Sequence, residues 1–213
     1  MIEVRSLLVG PLQENCYLVR AEGSSEAIMV DPGDEAPRLL AAIDEWGVRL
    51  SAILLTHTHF DHLGAVAPVA RASGAEVWVP TLERQVLADV SSYVPFPDFG
   101  PFESYEAEHD LSGGETLALA GLDIEVLFTP GHSPGHLSFS VPAEAALFSG
   151  DVLFQGSVGR TDLPGGNWPT LRASIQELID RLPPETAVYP GHMGETTLGA
   201  ERASNPFLAE PAR

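Results

Sequence analysis

Short apolar runs punctuated by glycine, proline and aspartate dominate the chain, and they predict strands. Residues 2–9 and 15–20 read as two strands joined by a turn at Gly10-Pro11, and 27–30 as a third that ends in Asp31-Pro32-Gly33. Further strands are predicted at 52–55, 76–79, 137–141, 145–149 and 186–189, with a hairpin over 116–119 and 122–128 turning at Gly121. Between them lie patterns of helical period. Asp34 is placed to cap a helix with Pro37 in its first turn, apolar Leu39, Leu40, Ile43 and Trp46 on one side, and Gly47 as the stop. Helices are also predicted over 63–73, over 81–88, and over 169–182 with Leu171, Ile175, Leu178, Ile179 and Leu182 on the buried side. Strands and helices interleaved in this way predict a layered structure containing both. The stretch 91–106 fits neither period. It sets Tyr93, Phe96, Phe99, Phe102 and Tyr105 among Pro95, Pro97 and Pro101, which excludes one regular helix and leaves a pocket wall or lid, an oligomer contact, or a packed loop.

The chain has 213 residues and a formal net charge of −19, from 30 acids against 11 bases. All the bases are arginine. Such a surface repels phosphate backbones and argues against nucleic-acid partners. Cys16 is the single cysteine, so no internal disulfide forms; it reads as a small core residue in a chain suited to a reducing cytoplasm. No apolar run approaches membrane-spanning length, and the start of the chain lacks the pattern of a signal peptide.

The candidate chemistry lies at the strand ends. Thr56-His57-Thr58-His59-Phe60-Asp61-His62 follows the strand at 52–55. In extended backbone, residues two apart face the same way, so His57 and His59 can reach one ion; Asp61 and His62, at the start of the next helix, can point at a second. Three later strands also end in a metal-competent residue: His132 in Thr129-Pro-Gly-His-Ser-Pro-Gly-His136, Asp151 in Gly150-Asp151, and His192 in Pro190-Gly-His192. Imidazole with carboxylate suits zinc, iron or manganese. Asp31, also at a strand end, is placed either to orient a ligating histidine or simply to make a turn. His109 reads as a surface histidine.

With these motifs the sequence resembles the metallo-β-lactamase superfamily, and most of all its glyoxalase II (hydroxyacylglutathione hydrolase) branch, from Asn15-Cys-Tyr-Leu to Asn205-Pro-Phe-Leu. The resemblance implies an α+β fold, an αββα four-layer sandwich of two mixed β-sheets flanked by helices. It also implies two divalent metal ions, zinc first, with iron or manganese as alternatives. His57, His59 and His132 would hold one ion and Asp61, His62 and His192 the other, with Asp151 bridging; Asp31 and His136 would lie behind the ligands. Asp61 and Asp151 would take part in catalysis, a bridging hydroxide attacking the carbonyl carbon. Only 21 residues follow His192, so a single domain over 1–213 is expected, without the helical glutathione-binding domain of full-length glyoxalase II enzymes.

The substrate expected is a small-molecule thioester or activated ester. A thiol with a pKa of about 8.5 leaves without a strong general acid, and the sequence offers no lysine to protonate an amine. Arg160, in Gly159-Arg-Thr-Asp162, is placed either to bind a substrate carboxylate or to pair with Asp162. That run also resembles the persulfide dioxygenases, which share the fold and use one iron, here held by His57, His132 and Asp151. A non-catalytic metal- or partner-binding module is the third reading. A homo-oligomer is also envisaged, with the aromatic stretch as its contact.

Overall fold

The structure, a computed structural model, describes residues 1–94 and 99–209. Pro95, Phe96, Pro97 and Asp98 of the aromatic stretch lie outside the described residues. The first sheet contains β1 (Ile2–Val9), β2 (Glu14–Ala21), β3 (Glu26–Val30), β4 (Arg49–Leu54), β5 (Glu76–Pro80) and β6 (His109–Leu111), side by side in that order. β2 runs antiparallel to both of its neighbours, β1 and β3, and β3 to β6 are parallel. The second sheet is built from β7 (Thr116–Leu119), β8 (Leu122–Phe128), β9 (Leu137–Val141), β10 (Ala146–Gly150), β13 (Ala187–Pro190) and β14 (Thr196–Thr197). Its order is β14-β13-β10-β9-β8-β7, with only β10 and β13 parallel. A two-stranded ribbon, β11 (Leu153–Phe154) with β12 (Ser157–Val158), follows Asp151.

The strands read as continuous apolar runs because both faces are covered. Along β2, Tyr17 and Val19 point into the core between the sheets, whereas Cys16 and Leu18 point outward to the helices. In β3 the split is Ile28 and Val30 against Ala27 and Met29; in β10, Ala146 and Phe148 face the first sheet while Leu147 faces the helical layer. Helices α1 (Ala36–Trp46) and α3 (Val66–Ser73) cover the first sheet through Leu39, Ile43, Val66 and Val69. Helix α6 (Trp168–Arg181) covers the second through Leu171, Ile175 and Leu178. The result is the αββα sandwich. Phe139 and Phe148 are fully buried between its sheets, and each contributes roughly 1.5–3 kcal/mol by leaving water.

Several local expectations are corrected. The N-cap of α1 is Glu35, in a left-handed conformation (φ 54°) with no side-chain cap; Asp34 instead accepts from the Glu35 amide at 2.6 Å. The helix expected over 63–73 is two pieces, a single turn α2 (Phe60–Leu63) and then α3. The Ala65 amide donates to the Pro32 carbonyl at 2.9 Å, a tertiary bond that diverts it from the helical ladder. The segment 81–88 divides into a 3₁₀ turn over Thr81–Glu83 and α4 (Arg84–Ala88), and a further turn, α5, covers Val90–Tyr93. The short strands β6, β11, β12 and β14 and the last helix, α7 (Leu198–Ser204), carry no signal in the sequence pattern. His109, the first residue of β6, is part-buried and stacks on Trp78 at 3.8 Å. Of the aromatic stretch, Phe102 and Tyr105 pack on the core, while Phe99 and Phe102 flank Phe60 in a cleft that reaches Asp61. No helix among the described residues is long and apolar enough to cross a membrane.

Candidate metal centre

Strand ends from both sheets meet along one edge of the sandwich. β4 delivers His57 and His59, α2 carries Asp61 and His62, and β3 ends at Asp31. From the second sheet, the β8–β9 loop carries His132 and His136, β10 ends at Asp151, and β13 is followed by His192. The backbone there is tightly packed. A methyl group on Gly191 would lie 2.3 Å from Asp151 Oδ1 and 2.7 Å from His62 Cε1, so only glycine lets the His192 loop approach so closely.

The imidazoles of His57, His59 and His132 converge. His59 Nδ1 lies 3.0 Å from His57 Nε2 and 2.8 Å from His132 Nε2. Their partners on the far side fix the tautomers. The Thr56 hydroxyl donates to Asp31 Oδ2 at 2.6 Å, so it accepts from His57 Nδ1 at 3.0 Å. His132 Nδ1 donates to the Arg160 carbonyl at 2.8 Å. Both Nε2 atoms are therefore lone pairs aimed at one point, an arrangement that a cation between them satisfies and that His59, with at most one proton to give, does not.

The second group joins Asp61, His62 and His192. His192 Nε2 lies 3.2 Å from Asp61 Oδ2, and His62 Nε2 lies 3.9 Å from the same oxygen. His62 Nδ1 donates to Asp31 Oδ2 at 3.0 Å, which leaves Nε2 as the nitrogen that faces inward. His62 Nε2 and Asp151 Oδ1 are buried and have no hydrogen-bond partner among the described residues, which a bound cation would supply. Asp151 stands between the groups: Oδ2 is 3.4 Å from His132 Nε2 and 3.6 Å from His192 Nε2, and Oδ1 is 3.5 Å from His62 Nε2. The donor set fits two divalent ions, one facing three imidazoles, the other facing Asp61, His62 and His192, with Asp151 shared. Asp31, His57 and His62 also lie close together. Asp31 is committed to Thr56 and His62, however, which makes it an orienting group behind both sets.

The two groups differ electrically. Burial, and then the neighbouring imidazoles, push His57 well below the ordinary histidine range and His59 down to about 4. Burial also pulls on His62 and His192, but there the carboxylates prevail: Asp151, Asp61 and Asp31 hold His62 up, and Asp61 with Asp151 holds His192 up. Burial would raise Asp61, and His62 with His192 more than reverses it.

Each of the remaining expected residues has a place. His136 accepts from the Asp151 amide through Nε2 at 3.0 Å and faces Thr129 through Nδ1 at 3.1 Å, so both ring nitrogens are occupied and it orients the Asp151 turn. The Arg160 side chain is exposed and pairs with Asp162 through two hydrogen bonds of 2.7 and 2.8 Å; only its backbone carbonyl touches the centre, through His132. Asn15 and Tyr17 hold the His192 loop: Asn15 donates to the Pro190 and Met193 carbonyls and Tyr17 to the Pro190 carbonyl, at 2.7–3.0 Å. Thr56 and the buried Glu83 also brace the centre, and nothing in the sequence pattern singles them out.

Known proteins resemble the chain over nearly its whole length. The sequence profile of the Metallo-beta-lactamase superfamily matches residues 9–192. Hydroxyacylglutathione hydrolase GloC of Haemophilus influenzae is 36% identical over 214 residues, covering 97% of this chain and 98% of that protein. The crystal structure of BLEG-1 B3 metallo-beta-lactamase superposes with a TM-score of 0.91 at 40% identity, covering 99% of this chain and 100% of the other. TTHA1623 in a di-iron-bound form gives 0.81 at 44% identity, covering 96% and 100%. The strand-end histidines and aspartates, the two mixed sheets and the full-length similarity lead to one conclusion: the chain belongs to the metallo-β-lactamase superfamily.

Proposed function

We propose that this protein is a metal-dependent hydrolase of thioesters or activated esters, with a hydroxyacylglutathione as the substrate to try first. The observation that carries the reading is the Asp151 carboxylate, set within 3.4–3.6 Å of imidazoles from both groups. Two divalent ions held there would supply Lewis acidity and a water acidified to near neutrality. Asp61, 3.2 Å from His192 and held anionic by His62 and His192, would help hold the second ion and accept a hydrogen bond that orients that water.

The leaving group follows from what the site lacks. His136 has no free nitrogen, the Tyr17 hydroxyl is spent on the Pro190 carbonyl, and the chain contains no lysine. Among the described residues no obvious acid remains to protonate a departing amine, whereas a thiolate departs without one. The similarity to GloC supports a glutathione thioester. Arg160, exposed at the edge of this loop, would exchange Asp162 for a substrate carboxylate.

The test is metal analysis of protein purified without added metal, followed by parallel assays with S-lactoylglutathione and, at an oxygen electrode, glutathione persulfide. About two metals per chain, thioester cleavage and no oxygen uptake are expected. One iron per chain with persulfide-dependent oxygen uptake would replace this reading with a dioxygenase.

A further inference from the structure

Glu83 ends the 3₁₀ turn that follows β5, and its carboxylate is buried with no cationic partner among the described residues. Four hydrogen bonds hold it. Oε2 accepts from the Thr58 amide at 2.8 Å and the Thr58 hydroxyl at 2.9 Å; Oε1 accepts from the Ser133 hydroxyl at 2.5 Å and the Gly135 amide at 2.8 Å. Its two oxygens thus grip two loops that belong to different sheets. Thr58 lies between His57 and His59, and Ser133 adjoins His132, so every clamped group is within a few residues of the three-imidazole set. Asp61, His62 and His192 make no such contact with it; their loops are tied by Asp31, Asn15 and Tyr17. Gly135 leaves the room the carboxylate needs, since a methyl group there would lie 2.8 Å from Glu83 Cγ. Burying an anion is costly unless its donors are in place, so the four donors fix one another's positions as firmly as they fix Glu83.

We propose that Glu83 is the positioning residue of the first metal site: it sets the spacing of His59 against His132, 2.8 Å between their facing nitrogens, and so governs the affinity for one of the two metals. The inference rests on the metal centre and not on the choice of substrate. Glu83→Asp keeps the charge but reaches only one loop; Glu83→Gln keeps the length but turns an amide donor toward one of the backbone amides.

Zinc affinities of the wild type and both variants, measured by competition with a chromophoric chelator, are the first readout. Both variants should bind one zinc equivalent about 10–100-fold more weakly and the other within about twofold of the wild type. The visible spectrum of the cobalt-substituted protein should change for the weakened equivalent alone. Ser133→Ala, which removes one of the four bonds, should weaken the same equivalent by a smaller factor, and it serves if the Glu83 variants do not fold. Equal weakening of both equivalents, or unchanged affinities with a lowered Tm of the metal-free protein, would make Glu83 a tie of the scaffold and overturn the proposal. If the wild type takes up two metals yet cleaves no thioester, the proposed reaction falls and this inference stands.

Discussion

The two metal groups occupy neighbouring loops on one edge of the sandwich, yet they are built on opposite principles. The first joins three imidazoles, of which His57 and His59 are held neutral by burial and by their neighbours, with Glu83 bracing the loops from outside. The second mixes imidazole with carboxylate, and its histidines are held toward the charged form by Asp61, Asp151 and Asp31. The first is thus a set of lone pairs ready before any ion arrives. The second must surrender protons as it loads. Fold position does not decide this difference, because both groups sit on strand ends; the count of carboxylates within reach does.

The sharpest way to break the comparison is Asp31→Asn. The amide keeps the shape but cannot accept from both His62 and Thr56 with full charge. Affinity for the second metal should fall about 10–100-fold, as for other groups behind ligating histidines, with a smaller loss at the first through Thr56 and His57. Isothermal titration with zinc resolves the two; equal losses would mean that the groups act as one unit.

A smaller effect comes from pH. In metal-free protein, His59 should stay neutral down to about pH 4, while His192 should protonate above the ordinary histidine value. The depressed His59 contributes stability above the unfolded value of about 6.5, and loses it as pH falls from there to about 4. The raised His192 does the reverse: its contribution is full below about 6.5 and is lost as pH rises through its folded value. Imidazole nitrogen shifts followed by NMR across this range separate the two; a shared midpoint would erase the distinction.

The smallest effect is expected from Arg160→Ala. Its exposed pair with Asp162 is screened by water and contributes little, and the backbone carbonyl that receives His132 remains. Zinc affinity and Tm should hold, and a raised KM with unchanged kcat would place the guanidinium on the substrate. Lost metal affinity would instead tie the side chain to the first group.

How much of this could be read in advance follows a physical divide. The layered strands were legible because burial on both faces leaves an unbroken apolar run, as in 27–30 and 52–55. The candidate ligands were legible because four of them crowd into 57–62 and the other three each follow a glycine at a strand end, both local patterns. Glu83 was not, since nothing near it in sequence announces donors 25 and 50 residues away. The break between α2 and α3 was hidden for the same reason, as it depends on the Pro32 carbonyl capturing the Ala65 amide. The Asp34 cap failed because Glu35 takes the left-handed turn, moving the boundary one residue onward.

Asp31 also has a left-handed backbone, φ 50°. Asparagine and glycine adopt that conformation as readily, and either lies one nucleotide away from an aspartate codon. Genetic drift at this one position would leave the sandwich intact while weakening the shared acceptor beneath both groups with asparagine and removing it with glycine. A descendant that has retired from chemistry would therefore be recognisable by glycine after the third strand, with every histidine still present and the shape unchanged.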